Sequence, residues 1–260
     1  MNSLSSLPPL VLALSISSMA CAADAGPANS PEMAPQAVYV VGSKDPDWKT
    51  YRAYVAGLDI HERLKALAPE APLRFLLRPQ TATADLAGLT MRIVGENTAI
   101  AVPIAQDGTF AMPLDRAAAA DGAEIVLNRH KGQFRWRPDI HSPGVPAGAR
   151  RLGDLRLECE VRWAVEQDEV PALMRGVFNA AGGACHSSQI QVDFLSARPI
   201  AAMQLVAGSR HQKVAADRIE PGGQIYSPPL DDTSWPDDTL LEFSYAPERT
   251  AAGTAPTSSR

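Results

Sequence analysis

Residues 150–185 constrain the fold more than any other stretch, because the hydrophobic period changes within them. Apolar and charged residues alternate over residues 152–163, which is the period of a half-buried strand. Further on, apolar residues recur at threes and fours until a Gly-Gly pair, which predicts a helix that ends at the glycines. Cys159 and Cys185 stand on either side of that helix. The pattern predicts a strand that ends at residue 163, followed over residues 164–185 by a helix closed by a disulfide.

The two cysteines are predicted to pair because the chain begins like an exported protein. Residues 1–22 contain a short apolar run followed by small residues and an Ala-x-Ala site, although no Lys or Arg precedes the run. Cleavage after Ala22 would remove Cys21 and leave an even number of cysteines, which an exported chain normally joins. A metal pair of Cys185 with His186 is the rival, but no further Cys or His cluster completes such a site.

The same signal peptide predicts a periplasmic or secreted protein. The apolar run is shorter than the roughly 20 residues that a membrane-spanning helix needs, so no transmembrane segment is expected in the mature chain. Lipid attachment at Cys21 is the alternative and would make the protein a membrane-tethered lipoprotein. Only Ala20 and Cys21 fit that signal, so simple cleavage is preferred. Residues 23–37 and 247–260 are small, polar or proline-rich and are predicted to be disordered.

The rest of the chain is predicted to be mainly β with two helices, arranged as two small antiparallel β-sandwich-like modules. Residues 38–72 form a helical N-terminal segment, whose aromatic stripe is interpreted as core rather than as a ligand platform. Short strands separated by turn signals follow over residues 73–163 and again over residues 186–246. The 22 prolines and 18 glycines agree with many turns. Whether the two β modules are an internal duplication stays open.

Three segments of the first module resemble one known family. They are the strand GLTMRI at residues 88–93, the hairpin VPIAQDGTF at residues 102–110 and the segment LGDLRL at residues 152–157. Together they resemble the carboxypeptidase regulatory-like domain, a transthyretin-like β-sandwich, over residues 73–157. In that family a strand enters an Asp-Gly-x-Phe turn and a Gly-Asp-Leu-x-Leu strand closes the sandwich. The resemblance implies a non-catalytic accessory role and carries over no functional residue.

The sequence contains no established catalytic motif. The five histidines lack the spacing of helical zinc ligands, and neither a nucleophile elbow nor a phosphate-binding glycine loop is present. The segment Cys185-His186-Ser187 invites a nucleophile interpretation, but a cysteine in a disulfide has no thiolate. The acids of residues 231–238 are interpreted as an acidic turn, with a calcium site as the rival. No cofactor and no catalytic residue are therefore predicted.

One basic and aromatic patch is the best candidate for a contact site. Its predicted binding residues are Arg129, Lys131, Arg135, Trp136 and Arg137. One interpretation is an ordinary amphipathic strand with its aromatics in the core. The other is recognition of an anionic or glycan surface by charge and stacking.

The sequence thus predicts an exported, non-catalytic binding or accessory protein of the cell envelope, with an unknown envelope protein or glycan as partner. An uncharacterised hydrolase or a metal-dependent protein is the alternative. A formal net charge of −5 is too small to indicate nucleic acid as a partner.

Overall fold

The computed structural model describes residues 45–247, and this part of the chain is mainly β. It contains thirteen strands in four antiparallel sheets and four α-helices, two of them small. The predicted mainly β fold with two sheet modules is thereby confirmed. The predicted signal peptide, the spacer, Cys21 and nearly all of the C-terminal tail lie outside the described residues. Within residues 45–247 no helix combines the length and apolar character needed to cross a bilayer.

The first module consists of two sheets, two α-helices and one hydrophobic core. Its strands are β1 (Pro46–Thr50), β2 (Leu73–Pro79), β3 (Met91–Val94), β4 (Ala99–Val102), β5 (Thr109–Phe110), β6 (Glu124–His130) and β7 (Phe134–Ile140). Its helices are α1 (Tyr51–Arg63) and α2 (Arg116–Ala120). The strand orders are β1-β6-β3-β4 and β5-β2-β7. Consecutive strands β6 and β7 therefore lie in different sheets, as in a sandwich.

Strict alternation of side chains explains how this core forms. In β2 the buried residues are Phe75 and Leu77, and in β7 every second residue from Phe134 to Ile140 is buried. Aromatic rings fill the centre: Tyr54 of α1 lies 5.0 Å from Phe75 and 6.0 Å from Trp136, measured between ring centroids. Of the predicted aromatic stripe, Tyr51 and Tyr54 are thus part of the core, whereas Trp48 lies in β1 and is 45% exposed.

The second module begins before the long helix of the chain. Its strands are β8 (Ala149–Arg151), β9 (Phe194–Leu195), β10 (Ile200–Ala207), β11 (Arg210–Lys213), β12 (Ile225–Tyr226) and β13 (Leu240–Tyr245). They form a four-stranded sheet with the order β11-β10-β13-β8 and a two-stranded sheet of β12 and β9. Because β8 pairs with β13, the segment before the helix already belongs to the second module.

The strand predicted for residues 152–163 is wrong, because Leu152–Glu166 forms helix α3. This helix is buried on two opposite sides. Leu155 and Cys159 belong to the second core, whereas Leu157 and Val161 belong to the first. Each pair is spaced by four residues, as a helical stripe requires, but the two stripes are offset by two residues. Two interleaved helical stripes therefore imitate the alternation of a strand.

The start of α3 is enclosed by both modules. The backbone N–H groups of Leu152 and Gly153 donate to the carbonyl oxygens of Thr239 and Asp237, each at 2.8 Å. A Cβ atom at position 153 would clash with the carbonyl oxygen of Leu67 and with the side chain of Asp237. Glycine is required here by this close approach of two modules.

The second predicted helix and the disulfide are both present. Helix α4 spans Ala172–Ala180 and ends before the glycine pair, whose φ angles are +91° and +103°. Cys159 and Cys185 form a disulfide with their Cα atoms 5.9 Å apart. Outside that bond, α4 is attached lightly, chiefly by Phe178 against Trp163 at 5.5 Å between ring centroids.

Candidate functional site

A cleft of about 400 Å³ lies between the two modules, and we call it the inter-module cleft. One wall is the face of the β2–β7 ladder that points away from the first core. The opposite wall comes from β9, β12 and β13 of the second module, and α3 and β8 contribute to the floor. Neither module forms this cleft alone, because its lining residues come from strands of both modules.

Four arginines line this cleft. They are Arg78 from β2, Arg137 from β7, Arg150 from β8 and Arg162 from α3. On β2 and β7, strand alternation sends the arginines to the cleft while their neighbours Leu77 and Trp136 enter the core. The alternation of side chains along β2 and β7 thus explains why Arg78 and Arg137 face the cleft.

Arg150 and Glu158 form an ion pair at the floor of the cleft. The distance between Arg150 Nη2 and Glu158 Oε2 is 2.8 Å, and both side chains are about nine-tenths buried. Arg150 Nη2 also donates to the carbonyl oxygen of Ile140 at 2.9 Å. Burial raises the pKa of Glu158, and the Arg150 guanidinium opposes that shift. The two charges offset each other and the bond joins β8 to α3, although the buried Nε of Arg150 has no hydrogen-bond partner among residues 45–247.

Arg137 and Arg162 share a single carboxylate, that of Glu166. Arg137 Nη1 lies 2.5 Å from Glu166 Oε1, and Arg162 Nε lies 3.1 Å from Glu166 Oε2. Burial lowers the pKa of Arg137 to about 10, with Glu166 opposing the shift. Two guanidinium groups against one carboxylate leave this cluster with an excess of positive charge.

Arg78 has no carboxylate partner among the described residues. Its guanidinium makes a long polar contact, from Nη2 to the carbonyl oxygen of Leu195 at 3.5 Å. The nearby carboxylate of Asp193 instead accepts a hydrogen bond from the Ser227 hydroxyl at 2.7 Å. Of the four arginines that line the cleft, Arg78 is therefore the one without a carboxylate partner in residues 45–247.

The opposite wall of the cleft is aromatic. Phe243 lies 5.0 Å from Tyr226 and 6.1 Å from Tyr245 between ring centroids, and Phe194 lies 5.8 Å from Tyr226. The guanidinium carbon of Arg198 stands 4.3 Å from the centre of the Tyr245 ring. Burial raises the pKa of Tyr226 to about 12, so its phenol is neutral at physiological pH. Phe194 and Tyr226 are buried in the second core, whereas Phe243 and Tyr245 are only partly buried. The ring surface that the cleft offers to a ligand therefore comes chiefly from Phe243 and Tyr245.

The polar groups at the mouth of the cleft are not arranged as a nucleophile and base. His141 Nε2 lies 3.0 Å from Asp139 Oδ1, but the neighbouring Ser142 hydroxyl donates to Asp154 at 2.6 Å. Despite burial, the bond from His141 holds the pKa of Asp139 below its usual value. Serine and histidine are each bonded to a different carboxylate, so this geometry supports binding more directly than acyl transfer.

The predicted basic and aromatic patch is only partly brought together. Lys131, Arg135, Trp136 and Arg137 line a second, smaller groove of about 270 Å³ beside the cleft. Arg129 does not line it and donates to the carbonyl oxygen of Ala87 instead.

Trp136 is not available for stacking on a ligand. Its side chain belongs to the first core, and its Nε1–H donates to the buried carboxylate of Asp47 at 2.8 Å. β7 is an amphipathic strand with its aromatic residues in the core, as the first interpretation of this stretch predicts. Within this patch, only the lysine and arginine side chains can therefore contact a ligand.

The acidic segment at residues 231–238 has a structural explanation. Asp237 Oδ1 accepts from Arg156 of α3 at 2.6 Å, and Asp232 Oδ1 accepts from the backbone of Ser234 at 3.0 Å. Within residues 45–247 there is no group of three or more His, Cys, Asp or Glu side chains that could hold a metal ion. The calcium interpretation therefore finds no support in this part of the chain.

Sequence reasoning missed Arg78, Arg150, Arg162 and the aromatic wall. Isolated arginines in short strands are common, and only the tertiary fold shows that these converge. An alternating Arg74-Phe75-Leu76-Leu77-Arg78 pattern was the one available signal, since it places both arginines away from the core.

The fold and the cleft define a two-module, mainly β protein with one inter-module site. Comparison with protein-family models, with curated protein sequences and with solved structures found no match to this chain.

Proposed function

We propose that this chain is an exported, non-catalytic binding protein and that its inter-module cleft holds a small ring-bearing anion. The observation that carries the proposal is the position of Arg78, a guanidinium without a carboxylate partner in the described part of the chain, in a cleft that the partly exposed rings of Phe243 and Tyr245 also line.

The chemistry of the two walls favours such a ligand. A guanidinium presents a planar fork of N–H donors that binds a carboxylate or a phosphate in two places. Aromatic side chains offer flat apolar faces against which a sugar or other ring can pack. Clefts of this size with apolar rings and a few placed polar groups are the usual form of small-molecule sites.

The disulfide supports export. Structural disulfides persist in oxidising compartments and are rare in the cytosol, and Cys159–Cys185 joins two buried side chains. We propose the periplasm or the extracellular space as the location, with an envelope glycan as the source of the ligand.

Titration calorimetry with three probes tests the proposal. D-galacturonic acid and glucose 1-phosphate carry a carboxylate and a phosphate on a sugar ring, whereas galactose is the neutral control. We expect both acids to bind, galactose to bind at least ten-fold more weakly, and Arg78→Gln to weaken the acids about ten-fold, since a hydrogen bond to a charged group contributes about 1.5–3 kcal/mol. Arg92→Gln, on β3 and away from the cleft, is the matched control.

Two results would overturn the proposal. One is equal binding of galactose and the acids, and the other is an Arg78→Gln variant that binds as wild type does. Recovery of each probe unchanged after long incubation tests the non-catalytic part, because turnover would instead support the hydrolase alternative.

A further inference from the structure

The pairing of β2 with β7 places Arg78 directly opposite Arg135. Residues opposite each other on one face have Cβ atoms about 5 Å apart, and like charges in that position destabilise a sheet. Arg137 follows on the same face of β7, about 7 Å further along the strand. Three guanidinium groups therefore lie together on one face of a two-strand ladder.

The Arg78–Arg135 pair has no compensating carboxylate in residues 45–247. Arg135 donates to the neutral side-chain oxygen of Gln80 at 3.5 Å, as long a contact as that of Arg78 with Leu195. Neither arginine takes part in an ion pair there, whereas Arg137 is paired with Glu166. Such an arrangement costs stability unless an anion from outside lies between the two groups.

This cationic face connects the cleft to the neighbouring groove. Arg78 lines the cleft, Arg135 lines the groove, and Arg137 lines both. Lys131 also lines the groove, as do the carboxylates of Glu166, which is paired with Arg137, and Glu169, which is paired with Lys49. The buried carboxyl of Asp47 accepts from Trp136, so Arg135 and Lys131 are the groove's cations that have no ion pair within residues 45–247. A ligand with one charged group in the cleft can therefore extend along β7 and place a second charged group between Arg78 and Arg135.

We infer that the ligand is an acidic oligosaccharide, with one charged sugar unit in the cleft and the next held between Arg78 and Arg135. The inference rests on the proposed function of the cleft. Sugar rings are favoured over a bare polyphosphate chain because the partly exposed rings of Phe243 and Tyr245 give the cleft wall apolar faces of the size of a sugar ring. β7 is an edge strand of its sheet, but α3 packs against it, and Glu158 of α3 accepts from the backbone N–H of Ile140 at 3.3 Å. The oligosaccharide is therefore placed on the arginine-bearing face of the β2–β7 ladder and not along the edge of β7.

The test compares trigalacturonic acid with galacturonic acid by titration calorimetry on the full mature chain. We expect the trimer to bind the wild-type protein at least ten-fold more tightly than the monomer. Arg135→Gln should remove that gain and leave monomer affinity within two-fold, while Arg92→Gln should change neither. Removing a like charge should not unfold the sheet, so a thermal melt of Arg135→Gln serves as the folding check.

The outcomes separate this inference from the proposed function. The extended-chain inference is overturned if the wild-type protein binds trimer and monomer with equal affinity. It is also overturned if Arg135→Gln still binds the trimer more tightly than the monomer by the wild-type factor. Either result leaves the cleft proposal standing. Failure of both sugars to bind overturns both. Tripolyphosphate and orthophosphate are further probes. If the ratio of their affinities is as large as the ratio of the trimer's affinity to the monomer's, the sugar assignment is wrong.

Discussion

Leu155 and Leu157 stand two residues apart in α3 and lie in different hydrophobic cores. Both are fully buried. Two positions along an α-helix correspond to about 200° of rotation, so the two side chains leave the helix on opposite sides. The helix is therefore a shared layer, and each module covers one of its faces.

We expect Leu155→Ala and Leu157→Ala to cost about 2–5 kcal/mol each in the free energy of unfolding, because each leaves a cavity in a packed core. Because α3 belongs to both cores, either variant should lower the melting temperature of the whole domain in one transition. Denaturant unfolding followed by tryptophan fluorescence measures this. Leu173→Ala on α4, where the side chain is 81% exposed, is the control and should change stability by less than about 0.5 kcal/mol. Two separate transitions in Leu155→Ala would show that the modules unfold independently.

Removal of the disulfide should weaken the attachment of α4. The bond joins residues 26 positions apart, for which the chain-entropy relation gives about 3–4 kcal/mol. The double variant Cys159→Ala with Cys185→Ala should lose stability of that order, and limited proteolysis should cut it first near Leu173. Mass analysis of the earliest fragments locates the cut. A first cut elsewhere, with unchanged stability, would mean that the packing of Phe178 on Trp163 holds α4 by itself.

The buried carboxyl of Asp47 should make stability depend on pH. Burial raises its pKa in the folded protein, and the Trp136 N–H donor only partly opposes this. Between its unfolded value of about 3.9 and the raised folded value, the folded state binds the extra proton. Stability contributed by this group is therefore present at low pH and is lost as pH rises through the folded pKa.

The variant Asp47→Asn keeps an oxygen that accepts from Trp136 and has no charge to bury. The free energy of unfolding of wild type minus that of the variant should fall as pH rises from about 4 and then become constant. Urea titrations at half-unit steps between pH 4 and 7 measure the difference. Curves that run parallel throughout would show that Asp47 has its ordinary pKa.

The two arginines of β7 should have opposite effects on stability in the absence of ligand. Arg135→Gln removes the repulsion from Arg78 and should stabilise the protein by about 0.2–1 kcal/mol. Arg137→Gln breaks a bond to Glu166 and should destabilise it by about 1.5–3 kcal/mol. The Arg135 effect should shrink as salt is raised, because salt screens partly exposed charges. Thermal melts in low and high salt suffice, and a loss of stability in Arg135→Gln would mean that its guanidinium already has a partner.

The candidate site was only partly predictable. The basic patch over residues 129–137 includes β7, one of the strands that line the candidate site, because Arg135 and Arg137 alternate with core aromatics in the sequence itself. Other residues that line the cleft with Arg137 are distant in the sequence: Arg78 comes from a strand nearly 60 residues earlier, and Tyr226 comes from the second module almost 90 residues later. No local pattern encodes which of many arginines will face a common space.

By itself, the sequence determined the local features: alternating strands, the glycine pair that ends α4, and the pairing of two cysteines. These follow from short-range rules of side-chain period, backbone freedom and cysteine count. The tertiary structure decided the rest, above all that residues 152–166 are a helix. An alternating pattern is compatible with a strand covered on one face and with a helix covered on two, and only the layers packed against it distinguish them. The same packing of two modules on one helix opened the cleft between them.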